Sequence, residues 1–213
     1  MALNIFDCKG YGQIEPNQVW FTRAGMSESQ CAFDPKEIAS HFPMTAEEAG
    51  KKLSYGENGV FYIVDKANKL VKHPTKALSD KGFPMGINYS SEMIYNQFTP
   101  GRRNFCMICG EFLPRLGYIE PGMRITTNAV AWDDTGKYNQ KTSKEFYAAV
   151  KEDLAEGQVI YACVVEGSNG KLTIGAKPVN ALGNVYAQVV KAYTNADGTL
   201  AFMFEFINKP ATV

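Results

Sequence analysis

Leu113-Pro114-Arg115-Leu116-Gly117-Tyr118-Ile119-Glu120-Pro121-Gly122-Met123-Arg124-Ile125-Thr126-Thr127-Asn128-Ala129-Val130-Ala131-Trp132-Asp133 decides how this chain folds. It reads as strand, tight turn, strand. Glu120-Pro121-Gly122 supplies the turn, because proline presets φ at one corner and glycine accepts a positive φ at the next. Tyr118-Ile119 on one side and Met123 through Ala131 on the other are of strand type. The stretch holds no nucleophile, metal cage or phosphate cradle, so its information is architectural.

The rest of the C-terminal half extends that reading. Thr142 and Glu145 form a capping box, and Phe146, Ala149, Val150 and Leu154 recur at helical spacing. Gly157 is a natural stop, so the main helix is predicted over 142–156. Strand candidates follow at 159–165 and 171–174, separated by a Gly167-Ser168-Asn169-Gly170 turn. Segments 185–193 and 199–208 read as a hairpin closed by Asn195-Ala196-Asp197-Gly198. In its second strand Leu200, Phe202, Phe204 and Phe206 alternate with Ala201, Met203, Glu205 and Ile207, so the Leu/Phe row is the predicted core face.

The N-terminal half is less regular. Residues 18–23 are a short strand candidate. Asp34-Pro35-Lys36-Glu37 has the composition of a helix start, with turns to Phe42 ended by Pro43, and Thr45-Ala46-Glu47-Glu48 opens a second short helix to Leu53. Val60-Phe61-Tyr62-Ile63-Val64 is a compact apolar strand, and residues 65–69 turn the chain toward Leu70-Val71. Residues 73–104 show no clear period and are punctuated by Pro74, Gly82, Pro84, Gly86, Pro100 and Gly101, with room for one helical turn at 90–98. A long irregular segment of this kind is usually a functional loop. This one carries Phe83, Tyr89, Tyr95, Phe98, Arg102 and Arg103, residue types enriched at protein interfaces, and these six are the candidate interface. The plainer alternative is a loop whose aromatics only cover the core. Together these elements predict a mainly β (α+β) fold with a β-barrel or sandwich-like core, one main helix and long irregular loops. It forms a single domain over 1–213, with an N-terminal arm at 1–17 and an interface loop at 73–104.

Composition narrows the function classes. Lys plus Arg equals Asp plus Glu at 22 each, which gives no long-range attraction to nucleic acid or anionic lipid. No run approaches the roughly 18 apolar residues of a membrane span, and Met1-Ala2-Leu3-Asn4-Ile5-Phe6-Asp7 lacks the basic and apolar regions of a secretory leader. Five cysteines, an odd number without a leader, fit reduced thiols in a protein made in the cytoplasm.

Each motif that suggests chemistry has a simpler explanation. Cys106-Met107-Ile108-Cys109 is half a zinc knuckle without its second half, and in a strand its two thiols point to opposite faces. Reduced, metal-free thiols are expected there. Gly167-Ser168-Asn169-Gly170-Lys171 lacks the spacing and the helix of a phosphate loop. Gly25-Met26-Ser27-Glu28-Ser29 lacks the last glycine of a nucleophile elbow, and neither His41 nor His73 is an obvious partner. Asp133-Asp134 has the look of turn chemistry rather than a calcium loop. Asn88-Tyr89-Ser90 matches a glycosylation acceptor that has no meaning without secretion. No catalytic residue, metal ligand or cofactor is expected.

One resemblance adds a function. The segments Leu113-Pro114-Arg115-Leu116-Gly117, Ile119-Glu120-Pro121-Gly122 and Thr126-Thr127-Asn128-Ala129-Val130, with residues 156–166 and the closing hairpin, resemble the auxiliary head proteins of tailed bacteriophages, also called decoration or cement proteins. The likeness is one of pattern over roughly the last half of the chain. It implies a non-enzymatic virion protein, made in the host cytoplasm, that binds the major capsid protein or other virion proteins, with a homo-oligomer as one arrangement and with no nucleic-acid or membrane partner. Two other classes stay open: a soluble protein-binding module acting off the virion, and a small zinc-binding protein using the Cys106/Cys109 pair.

Overall fold

A computed structural model describes residues 3–7, 12–14, 27–28, 31–34, 55–90, 107–108, 114–133, 137–139, 142–175, 180–195 and 198–210. The strand expected at 18–23, the helices expected at 35–53 and, apart from Ser90, the helical turn expected at 90–98 lie outside these residues, as do Cys106, Cys109 and His41.

The chain is mainly β, with two mixed sheets and one main helix in a sandwich-like α+β arrangement. The larger sheet has seven strands: β1 (Leu3–Ile5), β10 (Arg124–Thr127), β11 (Val130–Asp133), β12 (Tyr161–Val164), β13 (Leu172–Ile174), β14 (Tyr186–Thr194) and β15 (Leu200–Phe206), in the order β1-β11-β13-β12-β14-β15-β10. The second has six: β2 (Ser27–Glu28), β3 (Ala32–Phe33), β5 (Phe61–Asp65), β6 (Leu70–Lys72), β7 (Met85–Asn88) and β9 (Leu116–Tyr118), in the order β2-β9-β7-β5-β6-β3. A two-stranded pair joins β4 (Tyr55–Gly56) and β8 (Met107–Ile108). Helix α1 spans Lys76–Asp80 and helix α2 spans Ser143–Ala155.

The seven-stranded sheet must curl. Laid flat, β10 and β11 would stand five inter-strand gaps apart, about 24 Å at the usual spacing. Only Asn128 and Ala129 separate them in sequence, a reach of at most ~11 Å. The chain therefore passes almost directly from one side of the sheet to the other, and the sheet wraps around the side chains it encloses. Those include Ile125, Val130, Trp132, Leu172, Ile174, Phe202, Phe204 and Phe206. Helix α2 adds Phe146, which stacks on Trp132 with ring centroids 4.4 Å apart.

The closing hairpin and the main helix match their sequence reading. β14 and β15 pair antiparallel; Phe202, Phe204 and Phe206 are buried, and Leu200 packs half-buried against them. Ala201, on the opposite row, is buried as well. The Thr142 hydroxyl accepts from Glu145 N–H, Glu145 reaches back to the Thr142 backbone, and Gly157 follows the helix at φ +78°.

The second sheet separates two cores. Along β5, Phe61 and Ile63 enter the main core, while Tyr62 and Val64 enter a smaller one with Phe33, Val71 and Leu116. A strand buried on both faces reads as a continuous apolar run, which is why residues 60–64 lack alternation. The main core draws on both sheets and helix α2 and so unites them.

The strand–turn–strand of 113–133 spans both sheets: β9 belongs to the six-stranded sheet and β10 to the seven-stranded one, so the turn is a corner between sheets. Residues 73–90 are not irregular, because helix α1 is capped by Thr75 and β7 lies inside the second sheet between β5 and β9. Their period was hidden because β7 is buried along its length and so short. Within 1–17, at the described residues, β1 pairs with β11, and Phe6 and Ile14 are core residues. Asp133 ends β11 opposite Leu3 rather than sitting in a turn.

Candidate interaction surface

Of the six sequence-selected aromatics and arginines, two fall within the described residues. Phe83 leads into β7 and Tyr89 leaves it, and both pack half-buried against the main core. The Arg115 guanidinium lies 6.0 Å from the centre of the Tyr89 ring, at the limit of a cation–π contact. Tyr95, Phe98, Arg102 and Arg103 lie outside the described residues. Part of each of the Phe83 and Tyr89 rings seals the core, and part is exposed.

At Pro84, the residue after Phe83 in the chain, the surface opens into a groove of about 450 Å³, with Met85, Ile119, Pro121, Val185, Ile207 and Lys209 among its walls. It follows from the corner between the sheets. Gly122 sits at φ +89°, and Met123 N–H donates to Glu120 O at 3.2 Å to close the turn. The corner is then fastened to the end of β15: Gly122 N–H donates to Phe206 O at 2.8 Å and Phe206 N–H to Met123 O at 2.9 Å. Across the groove, Gly183 and Asn184 both have positive φ, and Gly183 N–H donates to Ser79 Oγ in helix α1 at 2.8 Å. The result is a mostly apolar trough with fixed walls, Glu120 and Lys209 among its lining. It suits an inserted apolar side chain.

A second apolar feature lies on the outer face of the curled sheet. Among the described residues the exposed large hydrophobics are Ile5, Val159 and Val190. The β12–β14 register places Val159 across from Val190, since Val189 N–H donates to Ile160 O and Tyr161 pairs with Gln188. Val190 is the extra residue of a bulge between Val189 and Lys191. Bulges re-aim side chains, and this one turns a valine outward.

The buried polar groups are spent on holding segments together. Glu57 and Lys171, 114 positions apart, form an ion pair at 2.9 Å with both side chains almost fully buried. Glu57 Oε2 also accepts from Gly12 N–H at 3.1 Å. Asn88, the formal glycosylation match, is fully buried and donates through Nδ2 to Glu57 O at 2.9 Å. Tyr138 donates its hydroxyl to Asp153 Oδ2 at 2.7 Å, and Lys137 Nζ lies 2.9 Å from the same oxygen. Burial, then this hydrogen bond, pushes the Tyr138 phenol well above its ordinary range. Burial would raise the Asp153 carboxyl, but the hydrogen bonds from Lys137 and Tyr138 and the Lys137 charge outweigh it and hold it below its ordinary value. Burial also pushes the Cys163 thiol up to about 12. His73 is buried with its ring stacked on Tyr62 at 5.3 Å.

Neither ion-pair network announces itself in the sequence. Lys171 follows a glycine-rich turn and Glu57 lies 114 positions away, and only the fold brings them together. The one local signal was the turn 167–170, whose Gly167, Asn169 and Gly170 all have positive φ as a tight hairpin turn requires. Among the described residues, no three His, Cys, Asp or Glu side chains gather to hold a metal ion, and no helix is long and apolar enough to cross a membrane. Searches of protein-family models, curated proteins and solved structures find no match for this chain.

Proposed function

We propose that this protein is a non-enzymatic structural component of a tailed-phage virion, one that decorates or cements the capsid through contacts with the major capsid protein or a neighbouring virion protein. The observation that carries this reading is the apolar groove at the corner between the sheets, lined by Met85, Ile119, Pro121, Val185 and Ile207. Interfaces draw most of their energy from a few apolar or aromatic anchors seated in fixed pockets, and this groove offers such a seat on backbone that is hydrogen-bonded on both sides. The resemblance of the C-terminal half to head decoration proteins names the partner class. The balanced charge adds that attachment should respond weakly to salt, unlike a phosphate-backbone contact.

The test mixes purified protein with phage particles that lack it and counts bound copies. Ile207→Glu, which places a charge in the groove, should weaken attachment by about 2 kcal/mol or more, the cost at an interface hot spot. Phe83→Ala, Tyr95→Ala and Phe98→Ala extend the test to the sequence-selected aromatics. Wild-type protein that binds no shell, yet captures a soluble partner, would replace the virion reading with that of a binding module acting off the particle. Stoichiometric zinc in the purified protein would instead favour the Cys106/Cys109 reading.

A further inference from the structure

We propose that residues 3–7 and 12–14 act as two ends of a closing strap on the curled sheet, latched by Glu57, so that the two ends release together. The first end is β1 with Phe6. β1 pairs with β11, and Phe6 N–H donates to Val130 O at 3.0 Å. The Phe6 ring lies 5.5 Å from Phe202, 6.3 Å from Phe146 and 6.4 Å from Trp132. Asp7 N–H donates to Ser143 Oγ at the start of helix α2 at 2.7 Å. The second end is residues 12–14. Ile14 bridges to Thr127 on β10 and is buried in the main core. Gln13 N–H donates to Asn128 Oδ1 at 2.7 Å, and Thr127 Oγ1 donates to Gln13 O at 2.6 Å.

Both ends therefore grip residues 127–130, the short link by which β10 becomes β11 and the two sides of the curled sheet meet. A release at either end frees the link on which the other end depends. Glu57 adds a second coupling. Its Oε2 accepts from Gly12 N–H in the strap and from Lys171 Nζ in the β12–β13 turn. That turn is fastened to the second sheet, where Phe61 N–H donates to Gly170 O at 2.8 Å. When the strap leaves, a buried carboxylate loses one of its donors, a cost that favours the closed state. Release would uncover the socket of Phe6 and the corner between β10 and β11 in one step.

Amide hydrogen exchange on the full chain tests this. Gly12→Ala is the direct probe. A Cβ there would lie 2.8 Å from Ala129 Cβ and from Asn58 O, and 2.9 Å from Glu57 Oε2, so it wedges the second end without altering a charge. Exchange should quicken at 12–14 and also, roughly fivefold or more, at 3–6, the range of a real coupling between sites. Coupling is reciprocal, so Ser143→Ala, a mild change at the exposed hydrogen bond of the first end, should quicken exchange at 12–14. If Gly12→Ala loosens the whole protein, Ser143→Ala decides alone. Faster exchange confined to the segment that was altered, with the other end at the wild-type rate, overturns the strap.

Discussion

The hairpin β14–β15 and the corner at 120–123 look alike in the sequence and part ways in the fold. Each is a pair of strand-type segments about a turn containing glycine, and each turn closes with a backbone hydrogen bond: Gly198 N–H to Asn195 O at 2.9 Å, and Met123 N–H to Glu120 O at 3.2 Å. Beyond the turn, β14 and β15 pair with each other, while β9 pairs with β7 and β2 and β10 pairs with β15. A turn sequence specifies a bend. What the strands do next depends on the faces they must bury. β15 has one clean apolar row to lay on a core. β9 is a three-residue strand whose Gly117 lies close against β7, where a Cβ on Gly86 would sit 3.0 Å from Gly117 O. Its place is set by that close approach across the second sheet, and so its chain neighbour goes elsewhere.

The comparison predicts where stability resides. Phe204 is fully buried, pairs with Val189 and Ile125 and lies on the hairpin's core row. Phe204→Ala should cost roughly 3–5 kcal/mol in denaturant unfolding, as expected for a large buried ring. Ile119 at the corner is half-buried in the groove wall, and Ile119→Ala should cost clearly less. Equal losses would mean that the corner is as much a part of the core as the hairpin and that the contrast is wrong.

Two turn glycines sharpen the same point. Gly170 and Gly198 both have φ +80°, and each would cost about 1–2 kcal/mol as alanine for the left-handed backbone alone. A Cβ at Gly198 meets nothing within 4 Å, whereas at Gly170 it would lie 2.0 Å from Phe61 O in the second sheet. Gly170→Ala should therefore add an overpacking cost, bringing it to about 2–5 kcal/mol. Thermal or denaturant melts of the two variants measure the difference. Similar losses would mean that the β12–β13 turn can draw back from the second sheet without penalty.

The same distinction separates what was legible in the sequence from what was not. Helix α2, β5 and the closing hairpin were readable because their signals are local: a capping box, an apolar run, a period-2 row. The partition of strands between two sheets was not, because it is decided by contacts between segments far apart in the chain. β7 escaped notice for a related reason: four residues buried along their length, one of them Gly86, show neither alternation nor helical spacing. Phe83 was selected by residue type alone. The groove was not legible, because its walls come from four separate segments around residues 84, 120, 185 and 207.

Helix α2 carries the contrast to its smallest expected effect. Its N-terminal end is written locally in Thr142 and Glu145. Near its other end, Asp153 holds residues 137–138 through hydrogen bonds and charge that local reading does not disclose. Tyr138→Phe removes one donor from a nearly buried carboxylate and should cost about 1.5–3 kcal/mol, the range for a hydrogen bond to a charged group. The pH dependence separates this bond from simple packing. The folded-state pKa of Asp153 is depressed, so its contribution is fully present above the unfolded carboxyl value near 4 and is lost as pH falls through the folded value. The phenol of Tyr138 is shifted the opposite way, so its contribution is fully present below about 10 and is lost only as pH rises through its raised folded value. Denaturation midpoints followed from pH 7 down to 2 should therefore fall less steeply for Tyr138→Phe than for the wild type, because the variant has less carboxylate stabilisation to lose. The alkaline limb should move the other way: a phenylalanine ring does not ionise, so the loss of this phenol's share of stability above about pH 10 should vanish in the variant. Parallel acid limbs would show that Tyr138 contributes only its ring to the packing against Phe146, where the two lie edge to face at 5.6 Å.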